Sequence, residues 1–163
     1  MTNNDILRRV RYIFDFNDDK MIALFASADY KVTRAEISDW MKQEEDPAFK
    51  KLNDKQLAAF LNGLINDKRG KREGPQPVPE KDLTNNAIFM KLKIALNMQA
   101  EDILEIMDLS DFRMSKHELS AFFRKVGHKH YRECKDQILR VFLKGLQMKY
   151  RNEDAADETS IWK

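Results

Sequence analysis

The sequence predicts an all-α protein of two tandem four-helix repeats, each with a helix-turn-helix-like hairpin, packed with approximate internal two-fold symmetry. Three observations predict it. A capped helical stretch occurs twice, at residues 33–40 and 115–122. Each copy opens on a hydroxyl residue, Thr33 or Ser115, with Glu36 or Glu118 three positions on. That is a capping box, in which the hydroxyl accepts from the third helical N–H and the Glu reaches back to the cap's own N–H. The copies lie 82 positions apart, and the same shift aligns most of the chain without a gap. Gly (5) and Pro (4) are scarce, and three of the prolines fall in one short stretch, which suits helices joined by a single true linker.

The first helix is expected from after Thr2 or Asn3 to about Phe16. Ile6, Val10 and Phe14 line one face with Leu7 and Ile13 beside them, and Arg8, Arg9 and Arg11 take the other side. Asn17 and Asp18 recap the chain for a second helix to about Ala28, with Met21, Ile22, Leu24 and Phe25 inward. A tight turn at residues 29–32 leads into the capping-box helix, where Ile37, Trp40 and Met41 are the buried residues. Glu44-Glu45-Asp46-Pro47 is expected to end it, since proline disfavours helix at the residue before it. Phe49 and Leu52 anchor the loop that follows. A fourth helix starts near Asn53 or Asp54 on the stripe Leu57, Phe60, Leu61 and Leu64.

The first repeat is set at residues 1–69, the linker at 70–82, the second repeat at 83–152 and an acidic tail at 153–163. The linker's Gly, Pro and charge content makes it extended and exposed. The unit then restarts. Thr84-Asn85-Asn86 repeats Thr2-Asn3-Asn4, and Ile88, Leu92 and Leu96 stand for Ile6, Val10 and Phe14. Asp111-Phe112 echoes Asp29-Tyr30, and Phe142-Leu143-Lys144-Gly145-Leu146 returns residues 60–64. A glycine inside a helix costs about 1 kcal/mol against alanine. Its recurrence at Gly63 and Gly145 points to another helix passing close over both. The tail is acidic and unpatterned, so it is expected to be disordered, with Ile161 and Trp162 able to dock on the body.

Apolar runs are short and broken by charge, which predicts no membrane span or signal segment. The single cysteine, Cys134, excludes an intramolecular disulfide and fits a reducing cytosol. The halves differ in charge. Residues 1–66 carry 10 Lys+Arg against 11 Asp+Glu, and residues 84–152 carry 13 against 8. The first repeat is neutral, the second basic and the tail acidic, which suggests divided labour.

The residues from Tyr30 to Trp40 are similar to the turn and second helix of a helix-turn-helix. Arg34, Ala35, Ser38 and Asp39 would face outward in the first copy, and Lys116, His117, Ser120 and Ala121 in the second. Lys31 and Arg113 replace the usual turn glycine. Nucleic acid demands clustered cations to neutralise phosphate. The second repeat offers Lys116, Arg124, Lys125, Lys129 and Arg132 as the contact set, with Lys116 at a helix N-terminus. His117, His128, His130 and Cys134 are metal-binding residue types, but their spacing matches no standard module. Leu52 holds the equivalent place of Cys134, which marks that cysteine as a small buried hydrophobe. Residues 15–19 lack the central Gly and closing Glu of a calcium loop. No phosphate loop, nucleophile elbow or paired-carboxylate signature is present, so neither catalysis nor a cofactor or metal is expected.

Asn3-Asn4-Asp5, the Trp40 helix, Glu45-Asp46-Pro47 and residues 60–65 together resemble the YehS family, and the resemblance covers nearly the whole chain. It implies small cytosolic bacterial proteins with a duplicated domain of unknown function, and no catalytic residues. The expected function is non-catalytic binding by a monomer or homodimer. Nucleic acid on the basic second repeat is the leading expectation, and a protein partner in the groove between repeats is the alternative.

Overall fold

The computed structural model describes residues 1–152, which form eight helices and no strand. The expectation of a disordered tail lies outside the described residues. The first repeat supplies α1 (Asn3–Phe14), α2 (Asp18–Ser27), α3 (Arg34–Met41) and α4 (Asp54–Arg69). The second supplies α5 (Asn85–Ala95), α6 (Ala100–Leu109), α7 (Lys116–Ala121) and α8 (Asp136–Arg151).

Local chemistry sets the helix starts. Thr2, Thr33, Asn53 and Ser115 form capping boxes with Asp5, Glu36, Gln56 and Glu118, so helix-end N–H groups without an intrahelical acceptor are satisfied. Left-handed residues mark the turns at equivalent places, Asp15 with Asn97 and Asp29 with Asp111.

α3 ends at Met41, well before Pro47. The helix end and the loop after it are held from elsewhere in the chain. Asn4 Nδ2 donates to the Trp40 carbonyl at 3.0 Å and to the Lys50 carbonyl at 2.9 Å, and its Oδ1 accepts from the Leu52 N–H at 2.9 Å. The Trp40 carbonyl, which the helix end leaves without an intrahelical donor, is satisfied by Asn4. Asn86 treats the carbonyls of Phe122 and Arg132 and the N–H of Cys134 in the same way.

Within each repeat α2 packs on α4 and α6 on α8, and the two interior glycines make this possible. A Cβ built on Gly63 would overlap the Leu24 carbonyl, and one on Gly145 the Ile106 carbonyl. The close approach expected over both glycines is present.

The repeats then exchange partners. α5 of the second repeat packs along α4 of the first, and α1 of the first packs along α8 of the second. The buried side chains of both repeats join in one core, with Phe25, Phe60, Phe89, Phe122 and Phe142 among the largest. Trp40 is 3% exposed and lies against Phe25, as its helical phase predicts. The phase fails at Arg9. Placed on the polar side of α1 by its own repeat, it is only 6% exposed. That side of α1 meets α8, a partner 130 residues away that local periodicity does not see.

Candidate nucleic-acid interface

Of the five cations expected as the contact set, Arg124, Lys125, Lys129 and Arg132 sit on the loop between α7 and α8, and Lys116 opens α7. α7 is six residues long, about 9 Å at 1.5 Å per residue, and it runs directly into Phe122 and Phe123. These rings pack on Phe89, with centroids 6.3 and 4.9 Å away, and fix the start of the loop to the core. The end is fixed by Asn86, through the Arg132 carbonyl at 2.8 Å and the Cys134 N–H at 2.9 Å. The Arg132 N–H also donates to the Ala121 carbonyl at 3.1 Å.

Between these anchors Arg124, Lys125, Val126, Gly127, His128, Lys129 and His130 are all exposed. Gly127 has φ +94, a left-handed geometry that favours glycine. The His128 N–H closes onto the Lys125 carbonyl at 3.0 Å, and the His130 N–H donates to His128 Nδ1 at 3.0 Å. The result is a tight projection held by its own backbone, with cations on both arms.

Three imidazoles meet there. The His117 and His130 rings are 5.9 Å apart, and those of His128 and His130 are 5.6 Å apart. His117 lies on α7, so the cluster ties the exposed side of that helix to the loop. Cys134 is not part of it. That side chain is 2% exposed, and burial pushes its thiol up to about 12. Among the described residues no group of three His, Cys, Asp or Glu is placed to hold a metal ion.

The five cations expected as the contact set divide into three kinds. Arg124, Lys125 and Lys129 stand on the loop and make no ion pair among the described residues. Arg132 stacks its guanidinium over the Phe122 ring at 5.6 Å, so it serves the fold as well as the surface. Lys116 pairs with Glu101 at 2.6 Å. The equivalent Arg34 pairs with Asp18 and Asp19, so this contact pins the two helix starts of each hairpin together. Glu118 is held below the usual carboxylate range, chiefly by the Ser115 N–H and hydroxyl of its capping box, with Arg132 and His117 adding to the effect.

Loops 42–53 and 124–135 are the same structural element in the two repeats. The first carries three Lys against three acidic residues, and the second carries five Lys or Arg against one Glu. The scaffold is repeated, but the charge is not.

A second concave feature lies between the repeats. The linker crosses the α4–α5 seam and closes a cleft of about 810 Å³ floored by Ile65, Met90 and Ile94. Lys91 lies at its edge, donating to Asn62 Oδ1 at 2.6 Å and pairing with Glu80 at 3.1 Å. A groove between the repeats is expected from the duplication, but neither its lining nor the meeting of the histidines is legible in the sequence. The cleft needs the exchange of helices between repeats, which no local pattern announces. The three histidines are visible in the sequence as residue types, but their convergence depends on the path of the α7–α8 loop.

A duplicated all-helical scaffold with one basic and one neutral copy of the same loop defines the class. The family described as "Protein of unknown function (DUF1456)" matches twice, over residues 3–70 and 85–152, and the chain belongs to that family. It is 42% identical over 147 residues to "Uncharacterized protein YehS" of Escherichia coli (strain K12), covering 90% of this chain and 94% of the relative. No solved structure matches. Among the described residues no helix is long and apolar enough to cross a membrane.

Proposed function

We propose that the protein is a non-catalytic, cytoplasmic binding module, and that its second repeat engages nucleic acid through the α7–α8 loop. The observation that carries this reading is the divergence of charge between two loops that are otherwise equivalent. Fold alone explains why each repeat has this loop and why its ends are anchored. It does not explain why one copy gathers Arg124, Lys125 and Lys129 with three histidines on an exposed projection. Clustered, accessible cations suit phosphate, whose condensed counterions are released on contact.

The geometry favours backbone contact over base reading. A helix of about 9 Å presents few side chains to a major groove about 12 Å wide. The helix-turn-helix-like hairpin α6–α7 would then act as the mount for the loop. Arg124, Lys125 and Lys129 would contact phosphate directly, and His117, His128 and His130 would flank them.

The test is a fluorescence-anisotropy titration of the intact protein against mixed-sequence duplex and single-stranded fragments at low salt. The expected result is micromolar binding that the triple substitution Arg124→Glu, Lys125→Glu and Lys129→Glu abolishes while the helical signal and melting are kept. Arg132 is left out because its stacking on Phe122 would mix stability with binding. Lys50→Glu on the neutral loop is expected to change little. Absence of binding at tens of micromolar protein would count against nucleic acid. It would favour a protein partner in the α4–α5 cleft, whose apolar floor is the observation behind that second reading.

A further inference from the structure

Two helices turn matching stripes toward the α4–α5 cleft. Asn62, Ile65, Asn66 and Arg69 of α4 recur at i, i+3, i+4 and i+7, as do Ala87, Met90, Lys91 and Ile94 of α5. The floor is apolar and only partly covered, since Ile65 and Met90 are half-buried and Ile94 is 44% exposed. The linker forms the roof and is tied down on both helices. Gln76 accepts from Asn66 Nδ2 of α4 at 2.9 Å and donates to the Arg72 carbonyl at 3.0 Å. Glu80 pairs with Lys91 of α5 at 3.1 Å. Pro75, Pro77 and Pro79 stiffen the same run. The cleft is thus held open by its own walls, and its volume of about 810 Å³ falls in the range of small-molecule sites.

Architecture alone does not call for an apolar floor. At the equivalent α1–α8 seam, Ile65, Met90 and Ile94 are replaced by Gln147, Arg8 and Tyr12.

The polar part of the lining is rich in donors and short of acceptors. Arg69 and Arg72 are exposed there and make no ion pair among the described residues. The Lys91 side chain is 14% exposed, and of its three N–H donors Asn62 Oδ1 and Glu80 take two. Asn62 Nδ2 is buried with no hydrogen-bond partner, where buried amides are normally paired. Against these groups the lining carries two acids, Glu80, already engaged by Lys91, and Glu73.

We propose that the α4–α5 cleft binds a small organic anion, a carboxylate, sulfonate or phosphate carried on an apolar body. The body lies on Ile65, Met90 and Ile94, and the anionic group meets Arg69 and Arg72 beyond the end of the floor. Asn62 to Arg69 is seven residues, about 10 Å along α4, and a body of that length fits between Lys91 and the arginines. This inference does not depend on the nucleic-acid reading of the α7–α8 loop.

The probe is 8-anilinonaphthalene-1-sulfonate, an apolar sulfonate whose emission rises in apolar surroundings, with N-phenyl-1-naphthylamine as its uncharged counterpart. Titrated into the intact protein, the sulfonate is expected to saturate at one site per chain. Its amide NMR shifts should map to the end of α4, the linker and α5. Arg69→Gln with Arg72→Gln, both at exposed positions, should weaken the sulfonate by about tenfold and leave the uncharged dye unchanged. Ile94→Glu should weaken both dyes while the helical signal and melting are kept. Absence of saturable binding would overturn the proposal. So would shifts that map elsewhere, or an equal response of the two dyes to the arginine changes.

Discussion

Asn86 donates through Nδ2 to the carbonyls of Phe122 and Arg132 and accepts through Oδ1 from the Cys134 N–H, all between 2.8 and 2.9 Å. These three bonds satisfy the carbonyl that caps α7 and anchor the far arm of the basic loop. Asn85 adds the Cys134 carbonyl at 3.1 Å and Asp136 at 2.7 Å. Removing the Asn86 amide leaves buried backbone groups unpaired, at a cost of about 1–3 kcal/mol for such a group. Asn86→Ala is therefore expected to lower stability by about 3 kcal/mol in chemical denaturation. It should also weaken polyanion binding more than its stability loss explains, because the loop loses its anchor. Asn4→Ala is expected to cost as much stability and leave binding unchanged. At this scale the sequence was half legible. The capping boxes involve residues three apart and could be read directly. The repeated Asn-Asn pair was visible as a repeat, but its purpose was not, because its partners lie 36 to 51 positions away.

The helices obey their own periodicity wherever the partner is in the same repeat. Ile6, Val10 and Ile13 of α1 and Leu57, Phe60, Leu61 and Leu64 of α4 are all buried, as their spacing requires. Arg9 departs from it because α8 covers that part of α1. Burial lowers its guanidinium to about 10, Arg140 and Arg8 push the same way, and Asp5 opposes them. The glycine contacts are the tightest statements of helix packing. A methyl group at Gly145 would displace the backbone of α6, which cannot yield as a side chain tip would. Gly145→Ala is thus expected to destabilise by about 1–3 kcal/mol despite its better helix propensity. A control change to alanine at the exposed Gln137 of α8 should be close to neutral. Equal melting of the Gly145→Ala protein and the parent would show that α6 and α8 are not packed as closely as described.

The molecule as a whole is a pair of repeats that complete each other. α1 and α5 each find their main partner in the opposite repeat, so neither half retains a closed core. Residues 1–70 and 83–152 made separately are expected to melt far below the full chain or to self-associate, and to regain cooperative unfolding when mixed. Self-association has a specific route, because α1 of one copy can stand where α5 stands on α4. Analytical ultracentrifugation with thermal melts checks this, and monomeric halves that unfold cooperatively at the temperature of the intact protein would contradict it. The duplication itself was plain in the sequence from the 82-residue shift. The exchange of helices was not, since the same shift fits two repeats packed as independent bundles.

The proposed function rests on one asymmetry in this symmetric body, the charge of the α7–α8 loop. Its most direct measurement is the salt dependence of duplex binding for the parent and for the Arg124→Glu, Lys125→Glu, Lys129→Glu protein. Each phosphate contact contributes a slope of about 0.9 in log K against log salt. The parent is expected to show a slope steeper by about 3 than any residual binding of the triple variant. Parallel slopes in the two proteins, or equal affinity at every salt concentration, would contradict the assignment of the loop as the phosphate-contacting surface.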